Sequence, residues 1–224
     1  EAMLELSRSG DAWRMGYGGD TLNTAIHLAR AGHDVAYLTA LGSDPLSVPL
    51  REKWRAEGLD TSLILTHPTR ATGLYAISTD DAGERSFAYW RDTSAARDMF
   101  ALPGMADALA VAEQADLIVY SLITLAILPP DARAALLALC HRVRAKGGRV
   151  AFDGNYRPRR WSGVAEARAA RDAAIACADI GLPTLEDEAA LNSSPSLLGE
   201  ELSPEAIAQH WTSLGCTETI VKLG

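Results

Sequence analysis

Apolar residues recur along the chain at spacings that predict helices separated by short strands. From residue 21 to residue 32 the apolar positions fall on one helical face, and Gly32 ends the run. The clearest helix is predicted for residues 129–148, with Pro130 in its first turn and Gly147 at its end. The apolar stripe of this helix consists of Leu136, Leu139, Cys140 and Val143.

The rest of the pattern predicts a parallel sheet with helices on its faces, an α/β fold. Further helices are predicted for residues 47–58, 163–178 and 203–215, and strands for residues 34–42, 149–153, 179–183 and 218–224. Strands that alternate with helices along a chain usually lie parallel in one sheet. Ligands of such sheets bind beyond the carboxyl ends of the strands. Asp153, Asn155 and Arg157 lie where the strand predicted over residues 149–153 leaves the sheet, so they are well placed for a site.

One segment interrupts this alternation. Residues 72–91 are predicted to form two antiparallel strands around a turn at residues 80–84. Period two places Phe87, Tyr89 and Arg91 on one face of the second strand, and Ser86, Ala88 and Trp90 on the other. The hairpin is either a flap or dimerisation surface, or an edge extension of the main sheet. Arg91 beside Tyr89 favours a flap over an anionic ligand.

Composition and charge exclude several classes of function. The 224 residues carry a formal charge of -8, which argues against nonspecific binding to nucleic acid. No apolar run approaches the roughly 20 residues that span a bilayer, so no membrane partner is expected. The three cysteines stand far apart and are predicted to be buried, reduced thiols, which indicates the cytoplasm.

The segment "GYGGDTLNTA", residues 16–25, is a glycine-rich turn that opens a helix. Glycines allow backbone N–H groups to approach a ligand, and Asn23 offers both a donor and an acceptor. The spacing matches neither the dinucleotide-binding motif nor the phosphate-binding loop of nucleotide hydrolases. Taken alone, the motif is better explained as a tight turn capped by Asp20 or Thr21.

A second segment, "DGNYRPRRW" at residues 153–161, concentrates three arginines in an acidic chain. Phosphoryl transfer requires positive charge over the phosphates and over the group in transit. A solvated basic loop is the alternative explanation, and we assign Arg159 and Arg160 to it. Arg157 remains as the candidate for a contact with phosphate, since its planar guanidinium matches that group.

A third segment, "TLEDEAAL" at residues 184–191, places Glu186, Asp187 and Glu188 in the first turn of a predicted helix. Favourable interaction with the helix dipole accounts for two of these three carboxylates. The third is a candidate for holding Mg²⁺ through water.

Together these segments resemble the ribokinase-like (PfkB) family of carbohydrate kinases, and within it the bacterial 2-dehydro-3-deoxygluconokinases. The resemblance rests on "GGDTLNTAIHLAR", on "FDGNYRPRRW" and on the triplet "YWR" at residues 89–91, and it runs along essentially the whole chain. It implies one ribokinase-like kinase domain over residues 1–224, truncated at both ends, with a β-hairpin flap within about residues 70–92. It also implies ATP- and Mg²⁺-dependent phosphorylation of 2-dehydro-3-deoxy-D-gluconate (KDG) at its 6-hydroxyl group.

The resemblance assigns roles to individual positions. The substrate side would consist of Gly19, Asp20, Asn23, Tyr75, Tyr89, Arg91 and Arg157. Arg91 would point toward the substrate carboxylate, and Arg157 would bridge the substrate and the nucleotide phosphates. The nucleotide side would consist of Asn155, Arg157, Lys222 and Gly224. Glu188 matches the acidic residue of the family's N-x-x-E magnesium motif, in which Leu185 replaces the asparagine.

The same resemblance places the catalytic base beyond Gly224, so we expect the 224 residues alone to lack activity. The partners are then a small sugar acid and ATP, and the flap is a possible surface for a homo-oligomer. Two alternatives stay open. The first is a kinase for another sugar such as fructose, although a neutral sugar gives Arg91 no partner. The second is a module that binds a sugar acid without turning it over.

Overall fold

The computed structural model describes residues 1–10, 12–79, 83–192 and 203–223. Contacts divide the chain into two compact units, residues 1–108 and residues 109–224, which we call the first and the second unit. The strands of the first unit are β1 (Met3–Ser9), β2 (Ala12–Gly18), β3 (Val35–Ala36), β4 (Thr39–Gly42), β5 (Leu59–Asp60), β6 (Ile64–His67), β7 (Gly73–Thr79) and β8 (Arg85–Trp90). Its helices are α1 (Asp20–Arg30) and α2 (Leu50–Ala56), with a 3-10 helix at Ala95–Ala101. Helix α3 (Met105–Ala112) lies at the boundary in sequence.

The predicted hairpin belongs to a larger sheet. Strands β7 and β8 pair antiparallel, which confirms the two predicted strands, while residues 80–82 of the predicted turn lie outside the described residues. The two strands continue into β1 and β2 in the order β2-β1-β7-β8. Strand β1 pairs antiparallel with β2 and parallel with β7. The expectation of a two-stranded flap was therefore incomplete, because β1 joins two hairpins into one four-stranded sheet. The edge-extension alternative does not hold among the described strands, since this sheet is separate from the parallel one.

The core of the first unit forms where α1 and α2 bury their apolar stripes. Leu22 and Trp54 are fully buried, and the indole of Trp54 meets the ring of Tyr37 edge-on at 5.7 Å between centroids. The same cluster includes Leu4 of β1, so the core packs against the four-stranded sheet. The single strand predicted over residues 34–42 is divided into β3 and β4, which pair with β5 and β6 respectively.

The second unit is the predicted parallel α/β layer. Its strands are β9 (Leu117–Ser121), β10 (Arg149–Asp153), β11 (Ile180–Leu182) and β12 (Glu218–Thr219). Its helices are α4 (Leu122–Ile127), α5 (Pro130–Ala145), α6 (Val164–Ala176), α7 (Leu185–Leu191) and α8 (Pro204–Ser213), with a 3-10 turn at Pro158–Arg160. The strands lie in the order β12-β11-β10-β9, and each described pair is parallel. The predicted stripe of α5 is buried throughout.

Helix α8 presses a large indole against the backbone of this sheet. The Trp211 ring stacks on Phe152 of β10 with centroids 5.6 Å apart. A Cβ atom at Gly181 would lie 2.4 Å from this indole, and one at Gly154 would lie 3.2 Å from it. Gly181 therefore needs a residue without a side chain, and at Gly154 a side chain would require the indole to give by a few tenths of an ångström.

No helix among residues 1–10, 12–79, 83–192 and 203–223 combines the length and the apolar character needed to cross a membrane.

Candidate active site

One face of the four-stranded sheet carries a row of residues that oppose each other across its strands. Gly16, Glu5, Tyr75 and Tyr89 are directly paired in this order on β2, β1, β7 and β8. The rings of Tyr75 and Tyr89 stack with centroids 6.0 Å apart, and Phe87 stacks on Tyr89 at 6.2 Å. Tyr89 and Phe87 are both 49% exposed. We call this surface, formed by Tyr75, Tyr89 and Phe87, the aromatic face, and it exposes flat apolar area to solvent.

The hydroxyl group of Tyr75 is fixed beside this face. It donates a hydrogen bond to Oε2 of Glu5 on the neighbouring strand. A Cβ atom at Gly18 would lie 2.4 Å from the Tyr75 oxygen, so the glycine leaves the space that the hydroxyl occupies. Burial, followed by the hydrogen bond to Glu5, raises the pKa of Tyr75, which keeps the phenol protonated.

Arg91 follows β8 on the same side of the strand, and its guanidinium is held by an acidic partner. Nε and Nη2 lie 2.7 and 2.5 Å from Oε2 of Glu1, and Ser94 donates its hydroxyl to the other oxygen of that carboxylate. The guanidinium also lies 5.9 Å from the centre of the Tyr89 ring. Arg91 is buried and adjoins the aromatic face, but much of its charge is compensated by Glu1.

The glycine-rich segment leads into α1 as predicted, and its last glycine has a structural reason. Gly19 precedes the helix with φ at +138°, where L side chains are strained, and a Cβ atom there would lie 2.1 Å from the carbonyl oxygen of Glu1. Asp20 begins the helix and is partly buried, whereas Asn23 is exposed one turn later. Glu1 thus links the start of α1, through its backbone, to Arg91, through its side chain.

In the second unit, four charged side chains gather where β10 and β11 end. Lys222 donates to Asp153 Oδ1 at 2.6 Å. The backbone N–H of Tyr156 donates to Asp187 at 3.2 Å, and Nη1 of Arg157 lies 3.5 Å from the same carboxylate. Burial raises the pKa of Asp187, and the positive charge of Arg157 acts against that shift. The carboxyl ends of these strands therefore carry charge of both signs.

Arg157 is a weakly held cation of this group. Its side chain is 54% exposed, and its distance to the Asp187 carboxylate is long for an ion pair. Its other contact is a hydrogen bond from Nη1 to the carbonyl oxygen of Tyr156 at 2.6 Å. Asn155 is partly buried in the same loop, and Arg159 is exposed. Gly224, also predicted for the nucleotide side, lies outside the described residues.

Glu188 faces inward instead of toward these groups. It is fully buried, and its Oε2 accepts from Nη1 of Arg171 at 2.7 Å, with both side chains at most 3% exposed. Burial raises the pKa of Glu188, and the guanidinium of Arg171 acts against that shift. The geometry therefore makes Glu188 the structural partner of a helix α6 arginine, and its assigned contact with Mg²⁺ stays a prediction.

Comparison with known proteins decides the family. The sequence pattern of the pfkB family carbohydrate kinases matches residues 4–224. The chain belongs to the pfkB family of carbohydrate kinases. It is 40% identical over 228 residues to the 2-dehydro-3-deoxygluconokinase of Dickeya dadantii, covering all of this chain and 71% of that protein. It is 41% identical over 230 residues to the enzyme of that name from Escherichia coli K12, covering 72% of it.

Solved structures of pfkB proteins support the fold. The PfkB protein from Polaromonas sp. JS666 superposes with a TM-score of 0.86 at 30% identity, over all of this chain and 74% of that one. Kinases of other sugars are more distant: a fructokinase from Salmonella typhimurium is 28% identical over 180 residues, 80% of this chain and 56% of its own length. The ribokinase-like α/β fold predicted from the sequence is therefore confirmed.

A pfkB carbohydrate kinase uses ATP, so a place for Mg²⁺ must be considered. Among the residues that the structure describes, no three His, Cys, Asp or Glu side chains gather as metal ligands would. Glu188 has no exposed oxygen and is paired with Arg171. These residues do not fit a protein-held metal centre. Mg²⁺ commonly binds through substrate phosphates and retains several waters, so it would enter together with the nucleotide.

The structure adds three acidic residues that the sequence had not assigned to the site of this pfkB kinase. Glu1 holds Arg91, Glu5 holds Tyr75, and Asp187 faces Arg157. Glu5 alone carries a sequence signal, since it is a charged residue between apolar neighbours in "MLELS". The partners of Glu1 and Asp187 are distant in sequence, and no local pattern reveals them.

Proposed function

We propose that the protein is an ATP-dependent sugar-acid kinase that transfers a phosphoryl group to the 6-hydroxyl of KDG. The observation that carries this proposal is the 40% identity to a 2-dehydro-3-deoxygluconokinase over the whole chain, in a protein whose aromatic face adjoins Arg91. A sugar acid has an apolar ring or chain face, several hydroxyl groups and one carboxylate. The aromatic face, the start of α1 and Arg91 match these three parts in turn.

On the sugar side, Gly19, Asp20 and Asn23 are assigned to the hydroxyl groups, because backbone and amide groups at the start of α1 supply both donors and acceptors. Tyr75 and Tyr89 form the surface under which the substrate lies. Arg91 is assigned to the substrate carboxylate. Because Glu1 already fixes the guanidinium, binding there requires little further loss of side-chain freedom.

On the nucleotide side, Arg157 is assigned to the phosphate in transit. Its exposed guanidinium and weakly held position allow it to turn toward an anion, and a positive charge is most effective where negative charge develops in the transition state. Asn155, Lys222 and Gly224 are assigned to the nucleotide. Bound Mg²⁺ would neutralise part of the phosphate charge, and the residues of this chain orient the two substrates.

Two further properties belong to the same proposal. The sheet face opposite the aromatic face exposes Trp13, Met15 and Trp90, at 52%, 47% and 61%. We assign these exposed apolar side chains to contacts with a second copy of the chain, since exposed apolar surface often marks an interface. The three cysteines are free and buried, which agrees with a reducing compartment, the cytoplasm.

The test of the function is a coupled assay of ADP release by the full-length protein with Mg-ATP and either KDG or fructose. KDG is expected to be turned over with a kcat/KM at least a hundred-fold above that for fructose, since a neutral sugar leaves Arg91 without a ligand. Equal values for the two sugars would refute the assignment of a sugar acid.

A matched binding experiment tests the role of Arg91. Arg91→Ala is expected to weaken KDG by about ten- to a hundred-fold in calorimetric titration, because a charged hydrogen bond is lost. ATP affinity is expected to stay within about twofold. Equal losses for both ligands would show that the substitution acts through the fold and not through a carboxylate contact.

A further inference from the structure

We propose that Glu5 is a positioning residue of the sugar site. Its carboxylate accepts the hydrogen bond of the Tyr75 hydroxyl, so that Tyr75 can act only as an acceptor toward the sugar. This inference rests on the proposed function, which places the sugar against the aromatic face. It adds a residue on β1, and it specifies which chemical group of the substrate meets Tyr75.

The geometry begins with strand register. Glu5 and Tyr75 are direct neighbours on the parallel strands β1 and β7, so both side chains leave the sheet on the same face. The Tyr75 hydroxyl donates to Oε2 of Glu5. A phenol carries one hydrogen and two lone pairs, and an ionised carboxylate can only accept. With its hydrogen committed to Glu5, Tyr75 has only lone pairs to offer a ligand.

Of the two glycines on β2 near this pair, Gly18 leaves the space that the Tyr75 hydroxyl occupies, whereas Gly16 is not required. Gly16 lies directly opposite Glu5, and a Cβ atom there would only touch the Glu5 side chain at 3.8 Å. Gly18 lies under the Tyr75 oxygen, where a Cβ atom would be 2.4 Å away. The hydroxyl group is therefore confined between the Glu5 carboxylate and the backbone of Gly18.

The consequence is a polarity along the aromatic face. The negative charge of Glu5 beside Tyr75 repels a carboxylate and favours a hydroxyl group, which donates to the Tyr75 oxygen. Arg91, which adjoins Tyr89, supplies positive charge to the same face. A sugar acid is thereby oriented with a hydroxyl group at Tyr75 and its carboxylate away from Glu5.

The test is a double-mutant cycle in the full-length protein with Glu5→Gln, Tyr75→Phe and the combined variant, assayed by steady-state kinetics with KDG and Mg-ATP. Glu5→Gln preserves shape but removes the charge, and we expect it to raise the KM for KDG about ten-fold with the KM for ATP unchanged. In the Tyr75→Phe background the same substitution is expected to have no further effect, since Glu5 acts through the hydroxyl.

The matched control is Glu57→Gln. Glu57 accepts a hydrogen bond from Tyr17 at 3.0 Å, a tyrosine–carboxylate pair whose tyrosine points to the opposite face of the same sheet. Loss of the Glu57 carboxylate is expected to leave the KM for KDG unchanged. Additive effects of Glu5→Gln and Tyr75→Phe, or an equal rise in KM for Glu57→Gln, would overturn the inference. If the wild-type protein does not phosphorylate KDG, the proposed function fails instead, and the cycle is repeated with the sugar that the protein does accept.

Discussion

The carboxylate of Glu1 and the guanidinium of Arg91 meet at 2.7 Å with both side chains almost completely buried. A buried pair of this kind contributes little net stability as a whole, but loss of one partner leaves an uncompensated charge. The arrangement therefore makes the position of Arg91 depend on a residue just before the start of β1.

Removal of Arg91 alone is expected to destabilise the protein more than removal of both partners. Arg91→Ala is expected to lower the free energy of unfolding by about 3–5 kcal/mol, because Glu1 stays buried without a counter-charge. The double variant Glu1→Ala/Arg91→Ala is expected to recover at least half of that loss. Urea denaturation of both variants provides the measurement. A double variant that is no more stable than Arg91→Ala would contradict the interpretation.

Among the arginines after β10, Arg157 is expected to be the one that affects catalysis. Arg157→Ala is expected to reduce kcat about 10²- to 10³-fold, since a charge that stabilises the transition state is lost. Arg159→Ala, a change at an exposed position of the same loop, is the matched control and is expected to stay within threefold. Comparable losses in kcat for the two variants would indicate a diffuse basic loop.

Two glycines of β2 are expected to differ sharply in their tolerance of a methyl group. Gly18→Ala places a carbon 2.4 Å from the Tyr75 oxygen, which must then leave Glu5, and we expect the KM for KDG to rise at least ten-fold. At Gly16 the closest atoms would be at 3.8 Å, an ordinary contact, so Gly16→Ala is expected to change KM less than twofold. Neither glycine has a positive φ, so backbone strain does not separate the two. Steady-state kinetics with thermal melts of both variants decides the prediction.

Glu166 is expected to contribute to the loss of stability in acid. Hydrogen bonds from Ser162 and the guanidinium of Arg133 lower the pKa of Glu166 to about 2. A carboxyl group whose pKa is lower in the folded state stabilises the fold above its unfolded pKa, and this contribution is lost as the pH falls toward 2. Urea denaturation between pH 5 and pH 2.5 is expected to show a steeper decline for the wild type than for Glu166→Gln. Parallel curves would assign the acid sensitivity to other groups.

Local sequence patterns were sufficient for most of the second unit. The stripe of α5 and the strand β10 follow directly from apolar periodicity, and both are buried as predicted. The short β12 shows the limit of this approach, because a run of apolar residues predicts a strand without fixing how much of it pairs. Beyond β12, a single isolated parallel β-bridge between Thr184 and Lys222 extends the pairing of β11 with β12.

The candidate site was harder to predict, because its acidic residues act through partners distant in sequence. Glu188 stands in the first turn of α7, where the helix dipole suggests an exposed carboxylate, yet Arg171 on α6 draws it inward. Glu1 and Arg91 are 90 residues apart. Such pairs are fixed by packing, and strand register alone brings Glu5 beside Tyr75.

The indole of Trp211 lies where side chains at Gly154 and Gly181 would otherwise stand. A larger residue at Gly181 therefore demands a smaller one at position 211, whereas at Gly154 the indole has to give by only a few tenths of an ångström. Substitutions at the two positions are consequently coupled, because a side chain at position 181 fits only after Trp211 has been replaced by a smaller residue. Homologues with an alanine or larger residue at position 181 are expected to carry a small residue at position 211.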